Sequence, residues 1–179
     1  MKITKRVSIG AGAVAAILAL APFASGHATV SLIQPQGKAL TGARASYVLR
    51  VPNEKSSQAT YDIVMTVPPA VSTAISVRQM PDWNVVLYKH DTGQKTAEGA
   101  PIYAIDKVRW IAKPGNEIQP GFYGVFEFRL VNPTSPQKLC FPTIQWYTKK
   151  DENGKAEAVR WTGDSTSPTP ASCLDVVTS

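Results

Sequence analysis

The sequence predicts an all-β domain, a β-sandwich of immunoglobulin or fibronectin type preceded by a cleaved leader. Three observations carry that prediction. Fourteen prolines in 179 residues, thirteen of them spread from Pro35 to Pro170, leave little room for long helices. Short runs rich in β-branched and aromatic residues alternate with turn signals. After the leader is removed, about 150 residues remain, which suits one domain with one core.

The leader occupies residues 1–26. Lys2, Lys5 and Arg6 form a positive start. An apolar run from Val7 to Ala21 follows, and then the small residues Ala24, Ser25 and Gly26. This is the three-part pattern of a secretory signal, with the cut expected between Gly26 and His27. The run is short for a retained anchor of about 20 residues, and no second apolar segment follows. The mature chain, 27–179, is therefore expected to be a soluble periplasmic protein without a membrane span.

Strands are expected over residues 45–51, 60–67, 83–88, 107–112, 121–130, 143–148 and 158–161. Between them lie Pro68-Pro69, Asp91-Thr92-Gly93, Lys113-Pro114-Gly115-Asn116, Asn132-Pro133 and Glu152-Asn153-Gly154, each a turn signal that a strand does not readily continue through. In the fifth segment, Phe122, Gly124, Phe126, Phe128 and Leu130 share one face, and Val125, Glu127 and Arg129 the other. The first face should pack inward. The Ser/Thr/Pro-rich stretch 165–172 reads as an extended tail.

Charge excludes one class of partner. Removing residues 1–26 takes away three of 19 basic residues and none of 13 acidic ones, leaving 16 against 13, a formal +3. Such a mild excess, scattered over Lys38, Arg44, Arg50, Lys55, Lys107 and Lys138, does not argue for nucleic acid. Lys149-Lys150 runs straight into Asp151-Glu152 and reads as a solvated loop. The two cysteines, Cys140 and Cys173, lie in the exported part, where an even count fits one structural disulfide.

Cleavage before a histidine would create a chelate, because the free α-amine and the imidazole Nδ1 of His27 can close on one metal ion. Nitrogen donors favour copper among divalent ions, and a square N,O set suits Cu(II). With no methionine cluster in the mature chain, thioether binding of Cu(I) has little support. Glu54 comes off a strand into a loop and could offer carboxylate oxygen. His90, the other histidine, reads as an exposed hairpin-end residue. Trp110 and Trp146 read as core, whereas Trp83 and Trp161 stand near strand ends and either could wall a metal site.

These residues carry a resemblance. His27-Ala28-Thr29-Val30, the string from Tyr47 to Glu54, the strand from Val64 to Pro68, Trp83, Pro120-Gly121-Phe122 with Phe126-Glu127-Phe128, and Phe141-Pro142 followed by Gln145, Tyr147 and Trp161 resemble the YcnI-like family of exported copper proteins. The resemblance implies a sandwich that holds Cu(II) in a brace with a single histidine. Its ligands would be His27 and Glu54, near Trp161, with Trp83 the second choice. It also implies periplasmic or membrane copper-handling partners. The chain departs from members with a C-terminal membrane helix, has a longer loop over 148–158, and adds the cysteine pair.

Three functions compete on these grounds. The first is a non-catalytic Cu(II) protein for copper trafficking, storage or homeostasis. The second is a copper oxidase resembling lytic polysaccharide monooxygenases, which needs a second histidine that only His90 could supply. The third is a metal-free β-sandwich that binds another protein through an edge strand.

Overall fold

A computed structural model describes residues 26–150 and 152–178. The signal-peptide reading of 1–26 falls almost wholly outside the described residues. Among these residues twelve strands form three sheets. The four-stranded sheet has the order β1-β3-β8-β5, with β1 Thr29–Gln34, β3 Arg44–Pro52, β8 Tyr123–Val131 and β5 Ile75–Val77. The five-stranded sheet has the order β11-β10-β4-β7-β6, with β11 Ala156–Trp161, β10 Thr143–Lys150, β4 Thr60–Thr66, β7 Pro101–Ala112 and β6 Trp83–Lys95. The third sheet places β12 Ser172–Val177 between β2 Ala39–Leu40 and β9 Gln137–Phe141.

The fold is all-β, as the proline distribution and strand patterning predict; among the described residues helix is confined to a 3-10 turn, Pro69–Val71. No helix among them is long and apolar enough to cross a membrane.

The core lies between the two larger sheets, where period-2 alternation sends every second side chain inward. Tyr47, Leu49 and Val51 on β3 and Phe126, Phe128 and Leu130 on β8 meet Ile63 and Met65 on β4 and Val108 and Trp110 on β7. Phe126 is the hub, packing at 5.0 Å from Trp83 and 5.2 Å from Trp110 between ring centroids. Cys140 and Cys173 face each other in the β9/β12 register and form the expected disulfide.

Four local expectations are corrected. The Asp91-Thr92-Gly93 signal does not end β6: the pairing shifts by a bulge and runs on to Lys95, so the turn falls at 96–100. His90 is therefore a strand residue opposite Ala104, its Nδ1 2.9 Å from Asp106. Trp146 is not core. It lies half-buried on the outer face of β10, with Arg160 over its ring at 5.7 Å. Phe122 falls just before β8 and is 68% exposed, in a turn that its N–H closes onto Gln119 O at 3.1 Å.

The extended tail is also replaced. Residues 163–171 form a compact loop, closed by Gly163 N–H to Thr169 O at 3.1 Å and Ala171 N–H to Gly163 O at 2.8 Å. Only glycine fits at 163, since a Cβ there would stand 2.3 Å from the Ser167 side chain. The Asp164 carboxylate accepts from Thr166 N–H at 2.9 Å and from its hydroxyl at 2.6 Å, the local bonding that lets Ser, Thr and Asp build turns.

Candidate metal centre

Three chain segments converge where β1 begins. The first is the entry itself, Gly26-His27. His27 is half-buried, and its Nε2 lies 3.2 Å from the carbonyl oxygen of Pro168, on the compact 163–171 loop. Its imidazole meets the indole of Trp161 edge-on, with centroids 5.4 Å apart and planes at 78°. Trp161 closes β11 and is 4% exposed. Trp83 is held elsewhere, buried against Phe126 at the start of β6, the opposite edge of that sheet from β11.

The second segment is the turn after β3. Asn53, 2% exposed, satisfies its side chain completely. Its amide donates to Gln58 O and Ile118 O, both at 2.7 Å, and its oxygen accepts from Lys55 N–H at 3.0 Å. This Asx-type turn aims Glu54 outward. Its carboxylate accepts the backbone N–H of Gly26, the residue immediately before His27.

The third segment is β10. Gln145, fully buried, accepts from Trp161 Nε1–H at 3.1 Å and donates to Pro52 O at 2.8 Å and to Thr60 Oγ1 at 2.7 Å. One amide therefore fixes both the indole beside His27 and the strand end that carries Glu54. Beside it, Tyr147 is pushed up to about 12 by burial first, then by the negative charges of Glu157 and Glu54. Lys55 sits over its ring at 5.3 Å and pairs with Glu157.

His27 and Glu54 thus flank one short stretch of backbone. Among the described residues, no three His, Cys, Asp or Glu side chains gather as a metal site. A metal ion held at this corner would need main-chain nitrogen beside the imidazole and the carboxylate. His90 cannot complete a two-histidine arrangement here: it lies on β6, four strand spacings from β11, about 19 Å away.

Sequence reasoning had no means to single out Asn53 and Gln145 as the residues that position the turn and the indole. Gln145 sits between Ile144 and Trp146, and a buried amide must find partners, but the chain does not say which.

The fold and this N-terminal corner define an immunoglobulin-like β-sandwich with a histidine at its entry. Residues 27–176 match the family described as a domain of unknown function, DUF1775, and the chain belongs to that family. The chain is similar to an uncharacterized Nocardia farcinica protein with an immunoglobulin-like fold, at 24% identity and a TM-score of 0.61, covering 85% of this chain and 99% of that one. It is more distantly similar to a cohesin module from a Clostridium perfringens family 33 glycoside hydrolase, at 10% identity and a TM-score of 0.43, over 85% and 97% of the two chains. No curated protein matches the sequence.

Proposed function

We propose that the chain, once processed ahead of His27, is a periplasmic Cu(II)-binding protein of copper trafficking, storage or homeostasis, and not an enzyme. The observation that carries this reading is the Glu54 carboxylate bonded to the nitrogen just before His27. Consecutive Cα atoms are about 3.8 Å apart, so a free α-amine on His27 would arise beside a carboxylate already in place. Amine, imidazole and carboxylate would then supply two nitrogens and an oxygen, a set that suits Cu(II). The His27–Trp161 contact supports it, because an indole wall restricts solvent at the site. The distance to His90 favours holding copper over oxidative chemistry.

The test is Cu(II) titration of the exported protein followed by EPR, with its first residue read by mass spectrometry. A single nitrogen-rich Cu(II) species, lost in His27→Ala and weakened in Glu54→Gln, is expected. Binding unaltered by His27→Ala, or no tighter than that of a peptide beginning His-Ala-Thr, overturns the reading.

A further inference from the structure

The fold collects charge that the sequence scatters. On the four-stranded sheet, Ala45, Tyr47, Leu49 and Val51 point into the core, so Arg44 and Arg50 point outward; likewise Phe126, Phe128 and Leu130 point in, and Val125, Glu127 and Arg129 point out. Arg78 follows β5 and reaches the same face, where its Nη1 meets Glu127 Oε2 at 2.8 Å. The strands of this sheet together with Arg78 hold four arginines and one acidic residue. Their net of +3 equals the whole formal excess of residues 27–179.

Apolar groups share that face. Tyr123 is 63% exposed and Val125 39%, both in line with Glu127 and Arg129 along β8, and Phe122, next to Tyr123 at the strand's end, is 68% exposed. Arg50 pairs with Val125 across the strands. Ser31 and Ser46 hydroxyls accept from Arg50 at 2.6 Å and from Arg129 at 3.1 Å, which steadies the guanidinium groups without neutralising them. A depression of about 600 Å³, lined by Ser46, Ser76, Arg78, Glu127 and Arg129 among others, opens beside Arg129.

We propose that this face docks on an anionic phospholipid bilayer. Guanidinium groups match phosphate oxygens in a planar, two-pronged geometry, and basic residues near an anionic leaflet each add to binding within a Debye length. Exposed Tyr123 and its apolar neighbours suit the headgroup layer, where an apolar ring is buried and a hydroxyl stays wet. The two features lie on one face, as an interfacial surface requires. Docking there would also set the metal corner at the membrane, because Tyr123 pairs with Pro52, two residues from Glu54.

Vesicle co-sedimentation of the exported protein, with chelator present to keep the result independent of any metal, tests this. Binding is expected to vesicles of equimolar phosphatidylglycerol and phosphatidylcholine, to be absent on phosphatidylcholine alone, and to fall steeply with added salt. Arg50→Gln and Arg129→Gln should each weaken it about fivefold, and Phe122→Ser with Tyr123→Ser should weaken it further. Near-UV circular dichroism verifies that each variant is folded, and the salt dependence of the unaltered protein needs no variant. Equal binding to neutral vesicles, absence of binding to anionic ones, or undiminished binding by folded arginine variants overturns the proposal.

Discussion

Trp161 and Gln145 are joined by one buried hydrogen bond, indole Nε1–H to amide oxygen at 3.1 Å, and the same amide grips Pro52 and Thr60 from its other end. The indole beside His27 and the end of β3 that leads to Glu54 are thereby tied by one side chain, while Asn53 holds the turn itself. Gln145→Met keeps the volume and removes all three bonds. Leaving the buried indole N–H without its acceptor should cost about 1 to 3 kcal/mol, seen as a lower midpoint in denaturant. On the copper reading, Cu(II) affinity should fall about tenfold or more, the usual effect of losing an outer support of a metal site. Stability lost with affinity unchanged would separate Gln145 from the site.

Trp161 offers an optical report on the same corner. Its ring lies 5.4 Å from that of His27, close enough for a paramagnetic ion at His27 to quench indole emission. Titrating Cu(II) should quench a component of tryptophan fluorescence that is missing in Trp161→Phe and intact in Trp83→Phe. Loss of the quenched component in the Trp83 variant instead would count against the arrangement.

The disulfide predicts a stability change. Cys140 and Cys173 are separated by 33 residues, and opening a loop of that size restores entropy to the unfolded chain worth about 2 to 4 kcal/mol. Unfolding in guanidinium with and without reductant should differ by that amount. Equal midpoints would show that the bridge contributes nothing.

Tyr147 predicts an alkaline limit. Its acidity is weakened in the folded chain, to about 12 from an ordinary 10, chiefly by burial. Above pH 10 the unfolded state sheds the proton first, so the stability that this group contributes is fully present below pH 10 and falls between pH 10 and 12. Tyr47, raised in the same direction by burial, adds to that slope. Denaturant unfolding at successive pH values should show the decline, and Tyr147→Phe should make it shallower. An unchanged slope in the variant would assign the effect to other tyrosines.

Much of this architecture could be read from the sequence, because long amphipathic strands announce themselves. The alternation of Tyr47, Leu49 and Val51, and of Phe126, Phe128 and Leu130, places two central strands and their inward faces. The strands that escape, β1, β2, β5, β9 and β12, are short or mixed in character, and their pairing is decided by distant partners, such as Val176 beside Ala39. Asp91-Thr92-Gly93 misleads because Gly93, at φ 74°, sits at a bulge, where a turn residue is tolerated inside a hairpin arm. At the candidate site, His27 and Glu54 are visible as donors. The tie through Gln145 is not, since nothing in its neighbours along the chain foretells that it reaches Trp161, Thr60 and Pro52 together.

The bond from Val30 N–H to Ser172 Oγ, 2.6 Å long, joins the first strand to the last. The His27 ring likewise rests on Pro168, 141 positions downstream. Contacts of such span close only after residues 168 and 172 are present, and topologies rich in them are slow to form. A chain emerging amino end first would therefore carry no finished sandwich until its closing strand arrived. It would assemble its entry corner late.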